Sequence, residues 1–322
     1  MRSAVFQMLT SFLLLVTSEI GFAIAPQKDM IADANMNAQA DSLMAGYGTP
    51  TGFVHNPASG FYPVKNFYSI TYQKGIEDIH MFQGTVLLPL KDYQLGIACN
   101  YANLGTLRVF DDYRNETGEL KSFFSMSKVN LSRKLDFQKE KSLYWGIGAN
   151  ILFDSFINIA SVGAFLDMAA VLNLSHLSLG AVMGKTGYFQ SEWNVPSMEF
   201  GARYELKKND ILLISSMAYE WQPEVSDVVK VALSYIHKKT VSIKFGFQSY
   251  LGPSYQQNRF LSIGMGFIHN GISFDGGYSI DSCFEDPFTV TIGNVRKDEK
   301  PEKVEEVKNR NVPPRPRGPG RY

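Results

Sequence analysis

The stretch Val241 to Tyr250 (Val-Ser-Ile-Lys-Phe-Gly-Phe-Gln-Ser-Tyr) sets large apolar side chains at Val241, Ile243, Phe245 and Phe247. Small or polar ones stand between them at Ser242, Lys244, Gly246 and Gln248. Successive side chains of a β-strand point to opposite faces, so this spacing describes one apolar and one polar face. The residue types suit a pleated strand. The pattern recurs. Leu261, Ile263, Met265 and Phe267 alternate with Ser262, Gly264 and Gly266, and Phe288, Val290 and Ile292 with Thr289, Thr291 and Gly293. Val229, Val231, Leu233 and Tyr235 do the same against Lys230, Ala232 and Ser234, as do Ile272, Phe274 and Tyr278 against Ser273, Asp275, Gly277 and Ser279.

Alternation does not say which face is inside. A soluble sandwich buries the apolar face, whereas a transmembrane barrel turns it to lipid and lines a lumen with the small and polar residues. Three features decide between them. The first is the leader: Arg2, the apolar run Phe12 to Val16, and a small-residue end at Gly21-Phe22-Ala23-Ile24-Ala25 read as a signal peptide over residues 1–23, with Ala25 as the other candidate cleavage point. The second is strand length. Strands are predicted near 67–73, 79–88, 93–101, 121–135, 142–153, 158–172, 174–184, 194–206, 209–221, 226–237, 240–251, 257–268, 271–280 and 285–294. That is about fourteen strands, most of them long enough to cross a bilayer when tilted.

The third feature is the connections. Tight turns at Lys91-Asp92, 138–141, Asn173, Lys207-Lys208, Lys238-Lys239 and His269-Asn270-Gly271 alternate with longer loops at 102–120, 185–193, 222–225, 252–256 and 281–284. Short turns on one rim and long loops on the other belong to outer-membrane barrels. Tyr219, Trp221, Tyr235 and Tyr250 fall near strand ends, where amphipathic rings suit a membrane interface. The expected fold is an all-β transmembrane antiparallel barrel over 67–294, in the outer membrane. Residues 24–66 form a plug or a periplasmic strap ahead of it, and the Pro- and charge-rich 295–322 a disordered periplasmic tail.

Composition removes other classes. Lysine and arginine number 31, as do aspartate and glutamate, so no net charge draws the chain to nucleic acid. The five histidines, His55, His80, His176, His237 and His269, have no metal-ligand spacing with one another or with Cys99 and Cys283. Ser175 beside His176 is no nucleophile–base pair, since neighbours in a strand point apart. The Gly-x-Gly pairs at 146–148 and 264–266 lie inside strands and make room in the lumen rather than cradling phosphate. Asp167, Glu199, Arg203, Glu220, Lys230, Lys244 and Asp275 are expected to face inward or lie near a rim, mostly as pairs. No enzymatic activity, cofactor or metal is expected.

Several motifs together resemble a known family. Asn56-Pro57-Ala58 ahead of the first strand resembles the Asn-Pro-Ala element of FadL-like barrels and of their PorV/PorQ branch. Asn100 to Gly105 followed by Asp111 to Leu120 is similar to that family's third strand and long loop. Gly146 to Leu152 and Gly163 to Met168 resemble its paired strands, the second with a buried aspartate, and Phe274 to Ser279 its penultimate strand. The PorV/PorQ likeness implies a structural or docking subunit of a type IX-like secretion and attachment system, with secretion proteins as partners. The candidate partner loop carries Arg108, Asp111, Asp112, Tyr113 and Arg114. The alternative is a FadL-like channel for hydrophobic small molecules, plugged around Asn56, Pro57 and Ala58. An apolar pocket in the lumen near the plug separates the two. The inward positions read as mostly Ser, Gly, Thr and charge, which favours docking.

Overall fold

The computed structural model describes residues 39, 51–61, 66–74, 79–110, 116–138, 141–156, 159–189, 192–194, 196–221, 227–251, 259–281 and 288–294. The expected signal peptide, most of the segment up to residue 50 and the C-terminal tail lie outside these residues.

Fifteen strands form one antiparallel sheet: β1 (Phe67–Lys74), β2 (His80–Leu90), β3 (Tyr93–Phe110), β4 (Glu116–Gln138), β5 (Lys141–Phe156), β6 (Ile159–Leu174), β7 (Leu177–Phe189), β8 (Glu192–Asn194), β9 (Ser197–Lys208), β10 (Ile211–Trp221), β11 (Asp227–His237), β12 (Val241–Leu251), β13 (Arg259–His269), β14 (Ile272–Asp281) and β15 (Phe288–Asn294). Each pairs with its sequence neighbour, except that β7 pairs with β9 and the short β8 hangs on β7. β1 also pairs with β15. These pairings close a ring of fourteen strands that leaves out only β8. Closure pairs the backbone all the way round, leaving the ring no open edge, which is what a spanning structure in lipid requires.

The alternation sorts the side chains as the barrel reading requires. Along β12, Val241, Ile243, Phe245 and Phe247 are exposed on the outside, while Lys244 and Gly246 are buried inside. The outer surface is a continuous apolar belt that includes Ile70, Phe82, Val129, Ile151, Val162, Phe200, Met217, Leu233, Met265 and Ile292. Apolar area on this scale is not left in water by a soluble monomer, so the barrel spans a membrane. Cys99 is a free thiol on this outer face.

The short-turn rim uses backbone that twists with the strands. Asn270 and Gly271 both have positive φ, the pair of left-handed residues that a two-residue type I′ hairpin turn needs. Lys238 and Lys239 also have positive φ, in the three-residue connection between the paired His237 and Val241.

The turn expected at Lys207-Lys208 falls at Asn209-Asp210, because β9 and β10 pair out to Lys208 and Ile211. Three further expected boundaries change. The turn placed at Asn173 falls at Ser175-His176, because β6 and β7 pair down to Leu174 and Leu177. The stretch 185–193 is not all loop: β7 runs to Phe189 and β8 folds back on it. The third change is the largest. The loop expected over 102–120 is mostly an extension of β3 and β4, paired from Asn103 with Phe123 out to Phe110 with Glu116. A register shift between Asn103 and Thr106, at Gly105 with φ of 90°, breaks the alternation there. Only 111–115 lies outside the described residues.

Candidate functional site

Residues 51–61 sit inside the barrel. Gly52–Val54 and Pro57–Gly60 form two short 3-10 turns, and every residue from Thr51 to Gly60 is buried. The sequence dictates the second turn. Asn56 stays extended and its side chain accepts the Ala58 amide at 2.9 Å, while Pro57 begins the turn, where a missing N–H costs nothing. The Asn56 carbonyl then accepts both the Ser59 amide, at 2.9 Å, and the Ser59 hydroxyl, at 2.8 Å.

This plug is fastened to the wall formed by β3 to β6. The Lys128 ammonium on β4 donates to the Val54 carbonyl at 2.7 Å and to Asp167 on β6 at 2.6 Å. Asn150 on β5 donates to the same Asp167 oxygen at 2.8 Å. Asn130 donates to the Pro57 carbonyl at 3.1 Å. Glycines make the seat. A Cβ at Gly146 would run into the Pro57 carbonyl and come within 2.8 Å of the Ala58 nitrogen. One at Gly96 would lie 2.8 Å from the Phe53 ring. Phe53 and Val54 pack with Phe67, Leu87 and Ala98, and Ala58 with Tyr144, Val171 and Val182.

Gly148 plays a different part. Lys128 pairs in register with Asn150, and Gly148 with Asp167, so the lysine must cross β5 to reach its carboxylate. It passes over Gly148, where a Cβ would meet Lys128 Cε at 2.7 Å. The same arrangement recurs opposite. Lys244 on β12 reaches Asp275 on β14 at 2.8 Å across β13, whose Gly264 and Gly266 pair with the two residues. The Gly-x-Gly pairs thus make room for plug backbone and for ion pairs spanning two strands.

The other inward charges singled out in the sequence also pair along the wall. Lys230 lies 2.9 Å from Glu220 and 3.5 Å from Glu199, and Arg203 lies 2.6 Å from Glu205. Removing one member of such a buried pair strands the other, which makes them structural fasteners first. His176 and Ser175 stand exposed at a turn. No group of three His, Cys, Asp or Glu side chains suited to a metal occurs among the described residues.

The lumen also holds what the sequence reading did not list. Met81, Ala102, Phe124, Met126, Leu152 and Phe165, on β2 to β6, form one buried apolar cluster with Ile79 packed against it. It lies toward the long-loop rim, beyond the plug. The expectation of a mainly small and polar lumen is therefore corrected for this sector. Next to the cluster, Gln73, Gln83 and Asn100 are buried with polar atoms that have no hydrogen-bond partner. Such an amide forfeits about 1–3 kcal/mol relative to one that is satisfied. Of the candidate partner loop, Arg108 falls within β3, opposite Glu119, and Asp111, Asp112, Tyr113 and Arg114 lie outside the described residues.

No family model matches the chain, and no curated protein does. Solved structures do match. The toluene transporter TodX of Pseudomonas putida is similar over 78% of this chain and 94% of its own, with a TM-score of 0.55 and 8% sequence identity. A FadL homologue from Pseudomonas aeruginosa is similar over 82% of this chain and 98% of its own, with a TM-score of 0.53 and 10% identity. At these identities the likeness is one of fold, and the fold is FadL-like.

Proposed function

We propose that the chain is an exported outer-membrane channel that passes hydrophobic small molecules through a barrel plugged by its own N-terminal segment. The buried apolar cluster of Met81, Phe124, Met126, Leu152 and Phe165 carries this reading. A lumen serving only as a scaffold has no need of a large apolar patch apart from those that pack the plug, whereas a hydrophobic solute needs somewhere to leave water. The FadL-like fold supports it, since proteins that share the fold include a toluene transporter. In this reading residues 1–23 are the export signal, 24–66 include the plug and 295–322 face the periplasm. The channel works by binding and displacement, without chemistry on the solute.

A second reading has one observation in its favour. β3 and β4 are 18 and 23 residues long, well beyond the ~9–11 a tilted strand needs to span a bilayer. Their ends form an arm fit to dock a partner, as the PorV/PorQ likeness and a type IX role would require.

Two variants separate the readings. One replaces Asn56 and Pro57 by glycine and serine, loosening the plug, and the other trims the hairpin beyond Asn103 and Phe123. The channel reading expects cellular uptake of a radiolabelled alkane to change several-fold in the plug variant and to hold in the hairpin variant. Unchanged uptake in the first, with loss of an envelope partner from pull-downs of the second, would decide for docking.

A further inference from the structure

Resting on the channel reading, the inner wall also says what kind of molecule the lumen is built to take. Register places side chains in rows around the barrel. One row runs Thr291, Thr71, Gln83, Asn100, Met126, Leu152 from β15 through β1 to β5. The next row toward the long loops runs Thr289, Gln73, Met81, Ala102, Phe124, Asp154. Each row passes from hydroxyls through amides to the apolar cluster, so the amides border the cluster directly in the sheet.

The fold leaves part of the hydrogen-bonding capacity of these amides unused. Gln83 is 2% exposed, and both its Oε1 and its Nε2 lack a partner; Asn100 Oδ1 and Gln73 Oε1 lack one too. Burying an amide without a partner is unfavourable, so three in adjacent positions mark a place where another molecule supplies the missing hydrogen bonds. Their sheet neighbours are Met81 and Met126, unbranched side chains that can swing aside to admit a ligand between cluster and amides.

Charge narrows the class. Asp154, 4% exposed, stands in register with Phe124 at the far side of the cluster, and its Oδ1 has no partner. The inward-facing lysines described on β1 to β6, Lys128 and Lys134, already face Asp167 at 2.6 Å and Asp136 at 2.8 Å. Among the described side chains of β1 to β6, a carboxylate entering here meets an acid and no uncommitted cation. We propose that the cluster and the Gln73, Gln83 and Asn100 amides form one binding site for a hydrophobic molecule with an uncharged hydrogen-bonding head, such as a phenol, in preference to a bare hydrocarbon or a carboxylate.

The test uses three probes with one skeleton: toluene, p-cresol and p-toluate. Each is titrated by calorimetry into the full chain in lipid nanodiscs, with empty discs subtracted. The expected order is p-cresol tightest, with p-toluate at least about tenfold weaker, because a site with unpaired amides discriminates by hydrogen bonding. Gln83→Leu should weaken p-cresol about tenfold and leave toluene unchanged or tighter. Should that variant fail to insert, the less buried Gln73→Leu is expected to show a smaller change of the same sign. Toluate binding as tightly as cresol, or cresol binding indifferent to both substitutions, overturns the head-group assignment while leaving the channel standing. If none of the three binds the unaltered chain, the channel reading itself falls.

Discussion

Lys128 touches the plug and the wall at once, and its side chain is wholly buried. Its ammonium has left water, so its stability comes from Asp167 at 2.6 Å and the Val54 carbonyl at 2.7 Å. Lys128→Met removes the cation that faces the buried Asp167, whose carboxylate keeps the Asn150 amide at 2.8 Å. Breaking a buried pair in this way costs about 3–5 kcal/mol, whereas replacing both members with apolar groups of similar size is often close to neutral. Lys128→Met is therefore expected to lower the urea midpoint of refolding strongly, and adding Asp167→Leu to recover much of the loss. The readout is the folded band on an unheated gel. A double variant less stable than the single one would mean that the carboxylate has another cation and that the pair is not the fastener.

At the scale of the strand, facing is the quantity to test. Phe245 is 46% exposed on the outer side of β12, and Ser242 lies on the inner side near the short-turn rim. Phe245→Arg is expected to cost about 2–4 kcal/mol if it meets the bilayer midplane. Ser242→Arg can extend along the lumen and should cost less in the same refolding assay; the reverse order would turn β12 inside out. Strands such as β12 were legible because one face is apolar and the other small or polar. The apolar cluster escaped for the opposite reason. At Phe123-Phe124, Leu152-Phe153 and Phe165-Leu166 both faces carry large apolar residues, so period two gives no contrast and a luminal Phe looks like a lipid-facing one. The β3–β4 arm escaped because polar residues such as Arg108 and Glu119, opposite each other in the ladder, read locally as a loop, and the shift at Asn103 interrupts the pattern. The plug motif Asn56-Pro57-Ala58 announced a turn, but its seat needs Gly96, Gly146 and Lys128 from strands far away in sequence, a contact set that no local pattern encodes.

The molecule as a whole has two unlike inner walls inside one apolar sleeve. β3 to β6 hold the plug and most of the apolar cluster, while β9 to β14 carry the Lys230 and Lys244 ion pairs. β1 begins and β15 ends on the short-turn rim, the geometry that an even ring imposes. With exposed Ile70, Phe137, Ile151, Val162, Met217 and Met265 spread around the sleeve, the folded chain cannot be soluble alone. It is expected to sediment with the outer-membrane fraction and to need detergent for extraction. A closed barrel keeps its inter-strand hydrogen bonds in cold detergent, because no edge strand is open to fray. The unheated sample should therefore migrate as a compact band, and boiling should shift it to the position of the unfolded chain. Recovery of the unaltered chain as a soluble periplasmic protein, with one mobility before and after boiling, would contradict the membrane barrel and every assignment of inner and outer face that follows from it.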